Sequence, residues 1–276
     1  MTNMKNEKKV FVIDVSICNG CYCCQIACKD EHVGNDWTPY AKPQPDTGQF
    51  WLKLSEIIRG TVPKVKMHYI PVLCMHCDDA PCIPSCPIEG AIYKRDDGLV
   101  IIDPVKCTGC KNCVDACPYR VIYFNEDLNI AQKCTGCAHL LDSGWKEPRC
   151  VDVCPTLAIK FGKESEFKEQ ISKAEVLHPE FKAKPRVYYL NIPKKFIGGT
   201  VYDPVAKEVI IGATCTLSAN GKRLTATTDG FGDFWFEGLE VGTYSLKIAA
   251  KGFAPKTIRP ISTEKDVNLG DIPLSK

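Results

Sequence analysis

The sequence lacks the features that mark membrane-spanning, nucleic-acid-binding and nucleotide-binding proteins. Its 35 Lys and Arg nearly balance 33 Asp and Glu, so no excess charge favours a nucleic acid or an anionic membrane. No stretch approaches the roughly 18–20 uninterrupted apolar residues of a membrane span, and no P-loop, GxGxxG or Ser/His/Asp arrangement occurs. The N-terminal residues, a basic lead with a short apolar run, are neither a secretory nor a twin-arginine signal. We therefore expect a soluble cytoplasmic protein, unless a signal-bearing partner exports it.

Cysteine is almost absent after residue 155 and very abundant before it. Of the 18 cysteines only Cys215 lies beyond that point, and Cys23 and Cys215 fall outside the regular spacings. The remaining cysteines form four motifs of four: Cys18, Cys21, Cys24 and Cys28; Cys74, Cys77, Cys82 and Cys86; Cys107, Cys110, Cys113 and Cys117; and Cys134, Cys137, Cys150 and Cys154.

These spacings favour iron–sulfur clusters over zinc or disulfides. Three thiolates in a tight loop can each bind a different iron of one [4Fe–4S] cubane, and the fourth cysteine, three residues on, reaches a neighbouring cluster, as in two-cluster ferredoxins. Four all-cysteine zinc sites would instead be built from paired CxxC knuckles, which leaves the CxxCxxC triplets without a purpose. A disulfide scaffold is disfavoured because the cytosol keeps thiols reduced.

The segments that follow the motifs repeat, which predicts the fold. Each is expected to form a short helix, a strand, an acidic turn and a second strand, the half-unit of a bacterial ferredoxin. The predicted fold class is α+β: tandem ferredoxin-like modules in residues 1–195, then an all-β, immunoglobulin-like sandwich in residues 196–276, where Asn-Gly and Asp-Gly turns separate short alternating strands. The first domain contains an aromatic-rich insertion at 29–73 and a connector at 163–195, with a helix over 164–177 and a strand or extended segment over 184–190.

Several residues outside the motifs have both a structural and a functional interpretation. The aromatics of the insertion either pack over the cluster modules or form a docking face for a partner. We interpret His76 and His139 as residues that tune cluster potentials without binding iron, because the cysteine count is complete without them. Cys215 lies at an inward-facing position of an alternating strand and is predicted to be a buried structural cysteine. No catalytic residue is predicted in this chain.

The order of the four motifs, with four residues inside the second and twelve inside the fourth, resembles the iron–sulfur subunits of molybdopterin oxidoreductases of the dimethyl sulfoxide reductase type. A narrower resemblance, to small subunits of the pyrogallol–phloroglucinol transhydroxylase type, covers nearly the whole chain through Asp30-Glu31-His32, Arg59-Gly60-Thr61 and Pro185-Arg186-Val187-Tyr188-Tyr189. The tail is similar to carboxypeptidase-regulatory-like domains through Thr228-Asp229, Gly232, Phe234 and Phe236.

The resemblance implies how the cysteines divide among four [4Fe–4S] clusters. The four implied sets are quartet A (Cys18, Cys21, Cys24, Cys154), quartet B (Cys28, Cys134, Cys137, Cys150), quartet C (Cys74, Cys77, Cys82, Cys117) and quartet D (Cys86, Cys107, Cys110, Cys113). The transhydroxylase-type subunits lack cysteines at quartet D, whereas this sequence keeps them. A complete quartet D favours a partner that exchanges electrons with an external carrier.

The resemblance implies a non-catalytic electron-transfer subunit. Its expected partners are a large catalytic subunit with a bis-pterin Mo or W centre and a soluble electron carrier, and the expected reaction is hydroxylation or dehydroxylation of a phenolic ring. The alternatives are a subunit of a dimethyl sulfoxide, polysulfide or nitrate reductase or formate dehydrogenase, and a stand-alone polyferredoxin whose sandwich binds other proteins.

Overall fold

A computed structural model describes residues 7–276. Its α-helices are all short: α1 (Cys23–His32), α2 (Cys82–Ser85), α3 (Asn112–Ala116), α4 (Ala138–Asp142), α5 (Arg149–Asp152) and α6 (Lys168–Lys173). Single turns of 3-10 helix occupy Val15–Ile17, Glu164–Phe167 and Pro179–Phe181. None of the helices within the described residues is long and apolar enough to cross a membrane.

The strands fall into two groups along the chain. The first group is β1 (Lys9–Asp14), β2 (Leu52–Thr61), β3 (Lys64–Leu73), β4 (Ile92–Lys94), β5 (Val100–Ile102), β6 (Tyr123–Asn125), β7 (Ile130–Gln132), β8 (Ile159–Lys163) and β9 (Val187–Leu190). The second group is β10 (Lys195–Asp203), β11 (Glu208–Val209), β12 (Thr214–Ala219), β13 (Lys222–Thr227), β14 (Asp233–Leu239), β15 (Thr243–Ala249), β16 (Lys256–Ser262) and β17 (Val267–Pro273).

The chain divides into two compact units. Unit 1 comprises residues up to 56 and 68–192, and unit 2 comprises residues 57–67 and 193–276. The sequence predicted a division at 195/196. The observed division lies at 192/193, and unit 2 also contains the tip of the β2–β3 hairpin, because Arg59 in the tip forms an ion pair with Asp266 in the tail.

Unit 1 contains the repeated ferredoxin half-unit that the sequence predicts. Helix α2 is followed by the antiparallel pair β4–β5, and α3 by the antiparallel pair β6–β7. The fourth motif is completed differently: β8 pairs with β1, and β1 pairs in parallel with β9. This three-stranded sheet joins residues from both ends of the unit, which brings the first and fourth motifs together. Helix α1 accordingly packs against α5, while α2 packs against α3.

The connector differs in detail from the expected helix and strand. The predicted helix over 164–177 is a 3-10 turn followed by the six-residue α6, and neither contains a buried residue. The segment 184–190, predicted as a strand or an extended connector, forms a strand only from Val187. The helix lies in an exposed segment, where few apolar contacts fix where it begins and ends. In the strand segment, Pro185 has no N–H to donate, and the Arg186 N–H donates to the Met75 carbonyl at 2.9 Å.

Unit 2 is a β-sandwich, as predicted. One sheet contains β11, β10, β14 and β17, and the other has the order β13-β12-β15-β16. Alternating residues of both sheets point into a common core that includes Val201, Phe234 and Leu246. Cys215 lies in this core and is 0% exposed, which confirms its prediction as a buried cysteine.

Candidate functional site

The loops that carry the cysteines share one backbone feature. The residue before the second cysteine of each motif has a left-handed conformation, with φ of 72° at Gly20, 43° at His76, 75° at Gly109 and 63° at Gly136. Glycine adopts this conformation at little cost, which explains its use in three motifs. His76 is held there by a hydrogen bond from the Val100 N–H to its Nδ1, at 3.0 Å.

The left-handed turn also directs backbone amides at sulfur. The His76 N–H donates to Cys74 Sγ at 3.5 Å, and the Gly136 N–H donates to Cys134 Sγ at 3.4 Å. Hydrogen bonds of this kind favour the thiolate form, the form that binds metal. The loops therefore both curve the chain around a site and prepare its sulfur ligands.

Quartet A joins the first motif to the end of the fourth. Burial raises the pKa of Cys24 to about 12, and the three other thiols of the quartet add to this increase because they lie close by. Cys154 differs from the rest: burial acts to raise its pKa, but bonds from the backbone amides of Thr156, Ala158 and Ile159 and from the Thr156 hydroxyl hold it below its ordinary value. Cys21 is exposed, whereas Cys24 and Cys154 are buried.

Quartet B is fully buried. Burial raises the pKa of Cys28 well above its ordinary value, and the thiols of Cys134 and Cys137 act in the same direction. The pKa of Cys150 is likewise raised by burial, and then by Cys137, Cys28 and Cys134. The last cysteine of the first motif thus lies among three cysteines of the fourth.

The cysteines of quartet C line a single cavity. Cys74, Cys77, Cys82 and Cys117 face it, together with apolar side chains that include Val100. Burial raises the pKa of Cys77 to about 12, and the three other thiols raise it further. A cavity lined by four thiols and otherwise apolar groups has the donor set of a [4Fe–4S] cluster.

Quartet D, like quartet A, includes an exposed thiol. Burial raises the pKa of Cys113 to about 12, and the thiols of Cys107, Cys110 and Cys86 contribute to the increase. The Ala131 N–H donates to Cys107 Sγ at 3.4 Å. Cys110 is exposed, while Cys86 and Cys107 are partly buried.

The thiols that act on one another's pKa show which quartets are neighbours. Each of the three neighbouring pairs includes one thiol that raises the pKa of a thiol in the next quartet: Cys24 acts on Cys150, Cys74 on Cys134, and Cys82 on Cys113. The resulting order is A, B, C, D. The two end quartets each have an exposed thiol, and the two inner quartets have none.

The separation of the thiols fits a cubane better than a single ion. Within residues 7–276, no three His, Cys, Asp or Glu side chains converge closely enough to hold one metal ion. Zinc draws its four sulfur ligands to about 2.3 Å from one centre. A cubane spreads four thiolates over four different irons, so it fits thiols that are neighbours without converging on one point.

The two histidines that sequence analysis singled out contact protein groups. His76 accepts the hydrogen bond from Val100 described above, and its ring stacks on that of Phe11 with 6.2 Å between the ring centres. His139 Nε2 lies 3.0 Å from Glu31 Oε1, and its ring stacks on Trp37 at 4.2 Å. Two aromatics of the insertion therefore pack within unit 1: Trp37 is partly buried, and Trp51 is buried with its ring centre 4.6 Å from that of His32.

Sequence analysis assigned no role to two charged residues beside the quartets, Glu31 and Lys133. Glu31 bridges His139 and Arg149, with 3.3 Å between its Oε2 and Arg149 Nε, and so fastens α1 to the fourth motif. Lys133 is only 2% exposed and directly precedes Cys134. Lysine next to a cysteine is too common a pattern to reveal burial, so no sequence signal identifies it. Cys23 lies outside the quartets and is exposed at the start of α1.

Comparisons with known proteins agree with this architecture. A family model described as a 4Fe-4S dicluster domain matches residues 65–164, and one described as a carboxypeptidase regulatory-like domain matches residues 197–275. The pyrogallol hydroxytransferase small subunit of Pelobacter acidigallici is 39% identical over 279 residues, which cover 97% of this chain and 100% of that subunit.

Two further relatives belong to reductases. The arsenate respiratory reductase iron–sulfur subunit of Shewanella sp. strain ANA-3 is 34% identical, covering 65% of this chain and 94% of its own. A subunit of the anaerobic dimethyl sulfoxide reductase of Escherichia coli K12 is 36% identical, covering 78% of this chain and 97% of its own. On the full-length match and the iron–sulfur architecture together, the chain belongs to the iron–sulfur electron-transfer subunits of molybdopterin oxidoreductases of the dimethyl sulfoxide reductase type.

Proposed function

We propose that the sixteen cysteines of quartets A to D hold four [4Fe–4S] clusters. The observation that carries this proposal is that thiols from different motifs lie together in the crossed sets of four described above. The clusters supply one-electron oxidation and reduction, and the protein fixes their spacing, excludes water from the inner pair and tunes their potentials.

The row of quartets supports a role in conducting electrons. Electrons enter and leave a protein where a redox centre approaches the surface, and only the end quartets include exposed thiols, Cys21 and Cys110. The inner quartets have no exposed thiol, and apolar side chains such as Val100 line the cavity of quartet C. We propose that the two ends exchange electrons with different partners: a catalytic subunit with a bis-pterin Mo or W centre, and a soluble carrier in the cytoplasm.

We further propose that the catalytic partner hydroxylates or dehydroxylates a phenolic ring. The support is the 39% identity, over nearly the full length and including the sandwich, to the small subunit of a pyrogallol hydroxytransferase. Transfer of a hydroxyl group between two rings needs no net electron flow. The complete quartet D, with four cysteines where transhydroxylase-type subunits have none, instead supports a net two-electron reaction coupled to the carrier.

Metal analysis tests the cofactor assignment. The complex purified without oxygen is expected to contain about 16 iron and about 16 acid-labile sulfide per copy of this chain, four of each for every quartet. Bound zinc with little sulfide would contradict the assignment.

A substrate survey tests the reaction. The purified complex is assayed with an artificial redox dye against a panel of di- and trihydroxybenzenes and against polysulfide, dimethyl sulfoxide and nitrate. Dye-coupled turnover is expected with a phenol. Turnover of only the sulfur or nitrogen compounds would refute the aromatic substrate and leave the electron-transfer role intact, whereas an isolated monomer without a pterin-containing partner would refute both.

A further inference from the structure

Lys133 is a buried cation between two of the proposed cluster sites. Its side chain is among the fully buried ones, at 2% exposure, and it directly precedes Cys134 of quartet B. Its Nζ donates to the carbonyl oxygens of Val100 and Cys134, the latter at 3.1 Å. Val100 in turn lines the cavity of quartet C, so the ammonium is bonded to one residue beside quartet C and to one residue of quartet B.

The ammonium of Lys133 acts on thiols of both quartets. Cys82, in quartet C, and Cys134, in quartet B, both lie close enough to Lys133 for its charge to act on their sulfur atoms. One positive charge therefore lies within electrostatic reach of two neighbouring sites.

No carboxylate in the part of the chain that the structure describes balances the charge of Lys133. Within residues 7–276, no Asp or Glu forms an ion pair with this lysine. Lys94, the other lysine beside quartet C, does have such a partner, since its Nζ lies 3.2 Å from Asp78 Oδ1. A fully buried lysine is rare unless it is paired, because removing an ammonium from water is costly and two carbonyl bonds replace only part of its hydration.

The position of Val100 is fixed from both sides, which makes the arrangement rigid. Its carbonyl accepts from Lys133, and its N–H donates to His76 Nδ1 at 3.0 Å. Because His76 Nδ1 accepts this bond, that nitrogen carries no proton and the ring adds no charge. Lys133 is thus the cation held between the quartets, and His76 helps to position it without adding charge.

We propose that Lys133 is the internal counter-charge of the clusters at quartets B and C and raises their reduction potentials relative to those at quartets A and D. This inference rests on the cluster assignment proposed above. Each reduction adds a negative charge to a cluster, and a fixed cation in a poorly screened interior stabilises that charge. At the end quartets water screens nearby lysines, as at Lys111, whose side chain is 49% exposed and pairs with Glu126 at 3.0 Å.

The test is a redox titration of the whole complex followed by EPR. In Lys133→Met, two of the four midpoint potentials are expected to fall by at least about 59 mV, which is a tenfold decrease in the reduction equilibrium constant of a one-electron couple. For the other two clusters, this equilibrium constant is expected to change by less than about threefold. Lys111→Met, which removes an exposed lysine next to Cys110, is the matched control and is expected to shift no potential beyond that threefold limit.

Two further variants separate charge from packing. Lys133→Gln keeps a hydrogen-bond donor but loses the charge and is expected to behave like Lys133→Met, whereas Lys133→Arg keeps the charge and is expected to retain wild-type potentials. Equal shifts in the Gln and Arg variants, unchanged potentials in a fully loaded Met variant, or loss of iron from both neutral variants would each overturn the tuning role. Iron and sulfide in the wild-type complex are counted first, so a failure of the cluster assignment is recognised separately.

Discussion

The ion pair between Arg59 and Asp266 is expected to hold the tip of the β2–β3 hairpin within unit 2. The guanidinium binds the carboxylate through two bonds, Nε to Oδ2 at 2.8 Å and Nη2 to Oδ1 at 2.5 Å. It also donates to the Lys194 carbonyl and lies 5.7 Å from the centre of the Phe196 ring. Burial acts to raise the pKa of Asp266, but Arg59 and the Phe196 N–H hold it below its ordinary value, so the carboxylate is charged at neutral pH.

Arg59→Met should therefore leave a charged carboxylate poorly compensated. The two side chains are 11% and 9% exposed, so the pair is nearly buried. Removing one partner of a buried pair costs about 3–5 kcal/mol, and the remaining contact with solvent favours the lower end of that range. At about 1.4 kcal/mol for each factor of ten, a loss of about 3 kcal/mol corresponds to roughly 100-fold more frequent local opening.

Hydrogen exchange of the intact, cluster-loaded protein measures this opening directly. The Phe196 amide is the best reporter because it donates to Asp266 Oδ1 at 3.0 Å. In Arg59→Met this amide is expected to exchange roughly 100-fold faster. In the double variant with Asp266→Asn, the loss of local stability is expected to be smaller than the sum of the losses in the two single variants, because no charge is then left unpaired.

The exposed pair of Lys194 and Glu240 provides the control. Its side chains are 45% and 76% exposed, so Glu240→Gln is expected to cost at most about 1 kcal/mol, less than about a fivefold change in exchange. If Arg59→Met changes the exchange of the Phe196 amide no more than this control does, the pair does not secure the hairpin tip and our reasoning about its burial is wrong.

Three further predictions concern the cysteines. Cys28→Ser should alter the EPR signal of the cluster at quartet B and leave that of quartet A intact; the opposite result would show that each motif binds its own cluster. Cys23→Ser and Cys215→Ser should retain the full iron content by metal analysis, and a loss of about four irons on changing Cys23 would show that the register of the first motif is wrong. Removing the clusters with a chelator under reducing conditions should abolish amide protection in β4–β7 of unit 1, whose small cores depend on metal, while β12 and β15 stay protected; retained protection of β4–β7 would contradict a metal-dependent fold.

The sequence specified the local structure of this protein far better than its long-range pairings. The regular cysteine spacing and the segments after Cys86 and Cys117 predicted the helix–strand–strand units, because their turn residues and alternation act over a few positions. The alternation after residue 196 predicted the sandwich in the same way. The place of the hairpin tip depends on Arg59 and Asp266, which are 207 residues apart, and no periodicity connects them.

The candidate sites show the same difference between local features, which the sequence predicts, and long-range contacts, which it does not. The choice of the proposed ligand cysteines follows from spacing, whereas the motif that each fourth cysteine joins was available only through family resemblance. The burial of Lys133 and the bridge made by Glu31 follow from the tertiary packing of several loops. Charged residues are exposed in most sequences, so a single sequence offers no reason to expect either of them inside.

The proposed crossed grouping of cysteines also implies an order for cluster assembly during synthesis. Quartets C and D have all their cysteines once residue 117 has been made, whereas quartets A and B wait for Cys154 and Cys150. At about 5–20 residues per second, the 136 residues from Cys18 to Cys154 take roughly 7–27 s to synthesise. The first-made cysteines are therefore among the last to be enclosed, and the nascent chain exposes reactive thiols, which makes delivery of iron and sulfide, with protection from oxygen, a requirement of its biogenesis.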